Sequence, residues 1–268
     1  MWRMVPVAEG VEVFEHEVNS FACGVLHDAS TTVVIDTMFP EQARDLATAV
    51  QALGAPPVRV CLATHYHPDH GSGGVEFPEA LRLGHVKQRL LWEKEQSRKV
   101  YAAPQLCYEE LSFEIAGQHV EVLPVGGHSF DSVLVWIATA SVLFAGEDIL
   151  HARGSHEYLV PHVSKDGSLR DLRSAVARIE AMDPRVLVSS HGCAVIGHDD
   201  VRALIRDNRN YLDWVSGRID GSDDQEPPLI DTPLTDYPGL AGRALHSYAE
   251  QFHRGNLQRG FAEKAGTR

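Results

Sequence analysis

Within six residues the chain sets out three imidazoles and a carboxylate: His65-Tyr66-His67-Pro68-Asp69-His70. Imidazole nitrogen and carboxylate oxygen are the donors that borderline divalent metals such as zinc prefer. In an extended segment alternate side chains leave on the same side, so His65 and His67 can chelate one ion together. Pro68 then turns the chain, and Asp69 with His70 can address a second ion beside the first. Gly71, Gly73 and Gly74 follow; they let the backbone pass close to its neighbours and begin a helix. A lone histidine in a loop is an ordinary surface group, but this spacing points to a metal site.

Such a run needs rigid elements to aim it. A short buried strand over 58–63 delivers the chain to His65. Before it, residues 11–15 alternate and residues 31–35 are β-branched, ending at the turn former Asp36. Between these strands and 58–63 lies an amphipathic helix over 41–53, with Leu46, Val50 and Leu53 on one face and Gly54 at its stop. Another helix is expected over 86–97. The middle of the chain reads as strands at 111–115, 119–125, 133–138 and 142–145. A helix over 169–182 follows, with Leu172, Val176 and Ile179 on one face. A strand over 186–189 ends just before His191, and Asp199 can cap a helix running to 215.

Both halves thus repeat strands, helix, then a strand ending in histidine, which implies an α/β fold of two face-to-face sheets with helices outside. Residues 220–238 are acidic and proline-rich and read as an irregular surface linker. Residues 239–265 read as helical, packing back on the same body. The expected organisation is one catalytic domain, 1–219, and a linker with a C-terminal helix, 220–268.

The pattern HxHxDH is similar to the signature of the metallo-β-lactamase superfamily, in a layout resembling its glyoxalase II and lactonase-like members. The later motifs arrive in order. Gly126-Gly127-His128-Ser129-Phe130-Asp131-Ser132 resembles the family's GHTxGS loop, and Ser190-His191-Gly192 resembles its terminal HG pair. The likeness runs from Asp36 to His191 and is weak after Asp220. It implies a four-layer αββα sandwich with a C-terminal helical extension. It further implies a first metal on His65, His67 and His128 and a second on Asp69, His70 and His191. The family bridges the two with the Asp of a Gly-Asp pair, where this chain reads Gly146-Glu147-Asp148. Alignment on the glycine puts Glu147 in that place; one extra residue puts Asp148 there. Relatives resembling alkyl sulfatases use Glu at this strand end.

Two ions side by side would make hydroxide available at neutral pH, with Asp69 as the catalytic group that orients the water and moves its proton. The ions implied are Zn²⁺ foremost, with Fe or Mn as alternatives. Relatives also place a substrate-contacting aromatic or donor beyond the acidic pair, which nominates His156 and Tyr158; Tyr66, inside the motif, is expected to line the pocket. Arg153, His151 and His162 share that loop with no sharper assignment. Asp36 is expected to fix the tautomer of a ligand histidine, and Cys193 to be a small packing residue near His191.

Composition narrows the function. The chain has 268 residues, 44% of them hydrophobic, enough for one large core. A net charge of −13 argues against nucleic acid or an anionic membrane as partner. Cys23, Cys61, Cys107 and Cys193 form no CxxC pair and suit reduced thiols. The first residues show no apolar leader, and no apolar run reaches membrane-spanning length. These features lead to the expectation of a cytoplasmic enzyme cleaving a small-molecule ester, thioester or lactone. Sulfate- or phosphate-ester hydrolysis is an alternative, and an iron-dependent oxidoreductase resembling persulfide dioxygenases is one of another class. Dimers are common among relatives, so a homodimer is open.

Overall fold

A computed structural model describes residues 1–17, 20–94, 103–152, 157–222 and 232–266. The first half supplies β1 (Trp2–Ala8), β2 (Val11–His16), β3 (Phe21–His27), β4 (Thr32–Ile35), α1 (Pro40–Gln51), β5 (Val58–Leu62), α2 (Pro68–Gly71), β6 (Leu81–His85), α3 (Val86–Lys94) and β7 (Leu106–Tyr108). The second half supplies β8 (Leu111–Ile115), β9 (Gln118–Pro124), β10 (Val133–Ile137), β11 (Val142–Phe144), β12 (Glu157–Tyr158), α4 (Leu169–Met182), β13 (Val186–Val188), β14 (Ala194–Ile196), α5 (His198–Asp220), β15 (Ala244–Leu245) and α6 (Ala249–Lys264).

Strands β1 to β7 form one seven-stranded sheet in sequence order, and the six-stranded second sheet runs β14-β13-β11-β10-β9-β8. The pairs β4–β5, β5–β6 and β6–β7 are parallel, as is β11–β13. Parallel neighbours need a crossover, and α1 and α4 provide two of them.

Period-two alternation decides which side chains fill each layer. Ala22 and Leu26 of β3, with Val33 and Ile35 of β4, point between the sheets and meet Val133, Val135, Ile137 and Phe144. Their neighbours Phe21, Cys23, Val25 and Val34 point outward and pack under α1 through Ala43, Leu46 and Val50. On the far side Leu134, Leu143 and Leu187 pack under α4 and α5 through Leu172, Val176, Ile179 and Ile205. The result is helix, sheet, sheet, helix: the expected αββα sandwich with C-terminal helices.

Some expectations need correction. The segment after α5 is not simply an irregular surface linker. Residues 223–231 lie outside the described part, but Leu234 is fully buried in a short 3-10 turn, Leu234–Asp236, and the next residue, Tyr237, is buried against Tyr158 and Tyr211. Helix α6 starts at Ala249 rather than 239, because β15 first pairs with β12. It is tied down by Asn256, which accepts from Val163 N (2.8 Å) and donates to Pro161 O (2.7 Å), and by Glu263, which accepts from Leu169 N (2.7 Å). The cap of α5 is Gly197, not Asp199, which sits in the first turn; there its charge still complements the helix dipole. All four cysteines are free, with Cys23 and Cys61 buried. Among the described residues no helix is long and apolar enough to cross a membrane.

Candidate metal centre

The chemistry-bearing residues gather at one edge of the sandwich. Asp36 ends β4, His65 to His70 follow β5, His128 lies between β9 and β10, Glu147 follows β11, and His191 follows β13. In the histidine run His67 is the extended residue before α2, and Pro68 opens that helix, where its missing N–H costs nothing. Gly73 lets the next turn nest against the end of β4. Its N–H donates to Met38 O (2.7 Å), and a Cβ there would lie 2.3 Å from Thr37 O.

Two donor groups result, each with one ligand atom per residue within 4.8 Å of the others: His65, His67, His128 and Glu147, and Asp69, His70, His191 and Glu147. Glu147 belongs to both. Its Oε1 lies 3.0 Å from His70 Nε2 and 3.2 Å from His191 Nε2, while Oε2 lies 3.4 Å from His128 Nε2. In the first group His67 Nδ1 stands 2.8 Å from His65 Nε2 and 3.2 Å from His128 Nε2. In the second His191 Nε2 meets Asp69 Oδ2 at 3.0 Å.

Electrostatics divides the donors. Burial holds His65 well below the ordinary imidazole range and, with His128 close by, takes His67 down to about 3. Burial lowers His128 as well. Burial also opposes charge on His70 and His191, yet Asp36 and Asp69 raise His70, and Glu147 and Asp69 raise His191 to about 9. Against its own burial, Glu147 is held well below the carboxylate range by His128 and His191. Asp69, also against burial, is lowered by His70.

This donor set fits two divalent ions. The first group offers neutral imidazoles and an ionised carboxylate, the forms a metal binds; in the second, a cation would take the place of the imidazole protons. The outward nitrogens of His70 and His128 are already occupied. His70 Nδ1 donates to Asp36 Oδ2 (2.9 Å) and His128 Nδ1 to His162 O (2.8 Å), which turns each Nε2 toward the cluster. Asp36 therefore stands where the sequence led one to expect it. Its carboxylate also accepts from Thr64 N (2.8 Å), Thr64 Oγ1 (2.9 Å) and Ser190 Oγ (2.7 Å).

The acidic pair separates cleanly. Asp148 turns away from the cluster: its Oδ1 accepts from His128 N (2.8 Å), and burial raises its carboxyl well above the usual range. Gly127, at φ +106°, makes room for it, since a Cβ there would lie 2.3 Å from Asp148 Oδ1.

Residues 20–191 match the family model of the metallo-beta-lactamase superfamily. The chain belongs to that superfamily. A search of the curated proteins finds no match. Among solved structures, a metallo-beta-lactamase from Pontibacter korlensis is 21% identical with a TM-score of 0.65, covering 80% of this chain and 99% of that one. A stereoselective inverting sec-alkylsulfatase from Pseudomonas sp. is 18% identical with a TM-score of 0.75; the match covers all of this chain but only 51% of the sulfatase. A metallo-beta-lactamase from Hirschia baltica is 18% identical with a TM-score of 0.61, covering 76% of this chain and 96% of that one. At these identities the likeness is one of fold. The superfamily segment holds every donor named above, while α6 lies beyond it.

Three nominated substrate contacts fare differently. Tyr66 is buried, and its hydroxyl donates to Asp166 Oδ2 (2.5 Å), so it braces the loop and does not line the cavity. Tyr158 is also buried, stacked on Tyr237 (5.8 Å) with the Arg243 guanidinium 4.3 Å over its ring, facing a neighbouring cavity of about 320 Å³. The apolar cluster under α5 has claimed it. His156 and Arg153 lie outside the described residues. Cys193 borders the same neighbouring cavity, its backbone bonded to the ring of His151.

The cavity at the cluster measures about 680 Å³, and Ser20, Leu150, Leu159, His162, His246, Tyr248 and Phe252 join His67, Asp69, His128, Glu147 and His191 in lining it. Among the described lining residues, Ser20 comes from just before β3, Leu150, Leu159 and His162 from the segment between β11 and α4, and His246, Tyr248 and Phe252 from the C-terminal segment. The α6 side chains carried no signal, because nothing in their spacing relates them to His65.

One loop residue has a measurable pH signature. Asp131 is fully buried, accepts from Ser129 Oγ (2.6 Å) and leaves Oδ2 without a partner among the described residues; burial pushes its carboxyl up to about 7. The folded pKa exceeds the unfolded one, so this carboxyl favours the fold fully below pH ~4, and that contribution fades as pH rises through about 7. The loss is on the order of a few kcal/mol. Asp131→Asn is therefore expected to melt like the parent at pH 4 and several degrees higher at pH 8. Thermal melts at both pH values check this; equal losses in the two proteins would refute it.

Proposed function

We propose that the protein is a dinuclear metal-dependent hydrolase of a small ester, thioester or lactone. The observation that carries this reading is Glu147 standing in both donor groups at the base of a cavity of about 680 Å³. His65, His67 and His128 would hold one ion, Asp69, His70 and His191 the other, with Glu147 between them. Ions so placed supply Lewis acidity, lowering the pKa of water toward neutrality and offsetting charge that develops on the scissile group.

Asp69 is the group placed to handle the proton. It lines the cavity, and its side chain remains 23% exposed while His191 holds one oxygen. A carboxylate kept ionised at this position can orient an attacking water. Because its basicity is low, it passes the proton on to the leaving group rather than keeping it. His162 and Leu159 line the same cavity beside the donor cluster. The strongly acidic surface disfavours polyanionic substrates.

Two observations favour a second reading, sulfate-ester hydrolysis. The shared position carries Glu147 rather than aspartate, and a solved structure whose match covers the whole chain is a sec-alkylsulfatase.

A screen of the zinc-loaded protein separates these readings. It spans acyl-thioesters, lactones, aryl esters, phosphodiesters and sulfate esters, with His67→Ala as control. Metal-dependent turnover of an acyl substrate, lowered about 100-fold or more in the control, is the expected result. Turnover of sulfate esters alone selects the second reading. No hydrolysis by the zinc-loaded protein, with coloured, iron-containing protein as first purified, would overturn both in favour of oxidative chemistry.

A further inference from the structure

Helix α6 lies outside the superfamily segment, yet it builds one wall of the cavity. Tyr248 and Phe252, one turn apart at its start, stack at 6.0 Å with an interplanar angle of 16°. Phe252 stacks on His162 at 4.2 Å and 11°, and His162 leans on His128 at 5.3 Å. The rings form a continuous ladder from the half-exposed Tyr248 at the mouth to a donor of the first group. All four line the cavity, with Leu150 and Leu159 alongside.

His162 and Phe252 cover one face of each other, and Tyr248 lies near-parallel beside Phe252, so the stacking takes up ring faces and leaves ring edges along the length of the ladder. A planar aromatic substrate would meet such ring edges at one or two positions. A hydrocarbon chain gains dispersion contacts along the whole strip in proportion to the surface covered. The strip begins at the donor cluster and ends in solvent, which suits a chain anchored at one end by the scissile group.

Resting on the hydrolase reading above, we propose that the ladder His162–Phe252–Tyr248 seats the unbranched acyl or alkyl chain of the substrate and sets its chain-length preference. The substrates are then esters, thioesters or lactones bearing an extended apolar chain, not compact polar ones. The three residues act on binding and selectivity.

The test uses the zinc-loaded protein and p-nitrophenyl esters from acetate to decanoate. Each methylene that reaches the ladder is expected to raise kcat/KM by about two- to fourfold. In Phe252→Ala the decanoate-to-acetate ratio falls tenfold or more, and Phe252→Leu restores part of it. Tyr248→Ala, at the exposed end, trims the gain for the longest chains only. A second readout needs no turnover: calorimetric titration of the metal-free protein with 1-decanol and 1-butanol. Decanol is expected to bind at least tenfold more tightly, with that advantage lost in Phe252→Ala.

Ester turnover with a flat chain-length profile, or decanol binding that Phe252→Ala leaves untouched, overturns the proposal and leaves the hydrolase reading standing. Absence of all hydrolysis together with length-dependent, Phe252-dependent alcohol binding supports the apolar seat and removes the hydrolase reading.

Discussion

Glu147→Gln is expected to cut metal retention in both donor groups and to lower kcat/KM at least about 100-fold, while Asp148→Asn keeps its metal. The two residues are adjacent and both buried, so the contrast isolates geometry from burial. Glu147 places one oxygen toward His70 and His191 and the other toward His128. Glutamine preserves the length but removes the charge, and offers an N–H₂ to atoms that are themselves donors or metal ligands. Asp148 serves the backbone instead: asparagine can still accept from His128 N through its carbonyl oxygen. Metal content after dialysis, read beside the kinetics, checks both arms. Equal losses in the two variants would mean that the acidic pair acts as a unit and that the separation described here is wrong.

The second large effect is expected at Asp36. Its carboxylate joins the ends of three strands by accepting from Thr64 after β5, Ser190 after β13 and His70 in α2, while Asp36 itself adopts a left-handed φ of +58°. Such strain persists only where surrounding contacts hold it. Asp36→Ala removes the shared buried acceptor of His70 Nδ1, Thr64 N and the Thr64 and Ser190 hydroxyls, which costs about 3–5 kcal/mol and on the order of 10 °C in Tm for a chain of this size. Freed from Asp36, the His70 ring no longer has a fixed tautomer, and metal affinity is expected to fall about 10- to 100-fold. Asp36→Asn retains the shape and part of the bonding, so its loss of affinity should exceed its loss of stability. Calorimetric melts and competitive chelator titration measure the two quantities. A variant Asp36→Ala that melts and binds like the parent would show that the histidine is oriented by packing alone.

How much of this could be read beforehand depends on how local each cause is. The run from His65 to His70 was legible because a strand, a proline and a short helix over a few residues determine where its side chains go. The same holds for α4, whose apolar face follows the helical period without help from elsewhere. Strand β3 was not legible: Phe21-Ala22-Cys23-Gly24-Val25-Leu26 is apolar throughout because both of its faces are covered, so it shows no alternation. The choice between Glu147 and Asp148 turned on Gly146, whose φ of +55° rotates the following residues; the sequence marks the glycine but not the direction of the turn. Tyr158 was misplaced because the cluster around Tyr237 and Arg243, contributed from far along the chain, draws it under α5. The wall built by α6 depends on a long-range return of the chain that no spacing near the histidines announces.

The central claim is that two donor groups sharing Glu147 hold two ions. Purified protein, loaded with zinc and dialysed to equilibrium, should contain close to two zinc ions per chain by plasma mass spectrometry, falling together in Glu147→Gln. One ion per chain in the parent, unchanged in that variant, would contradict it.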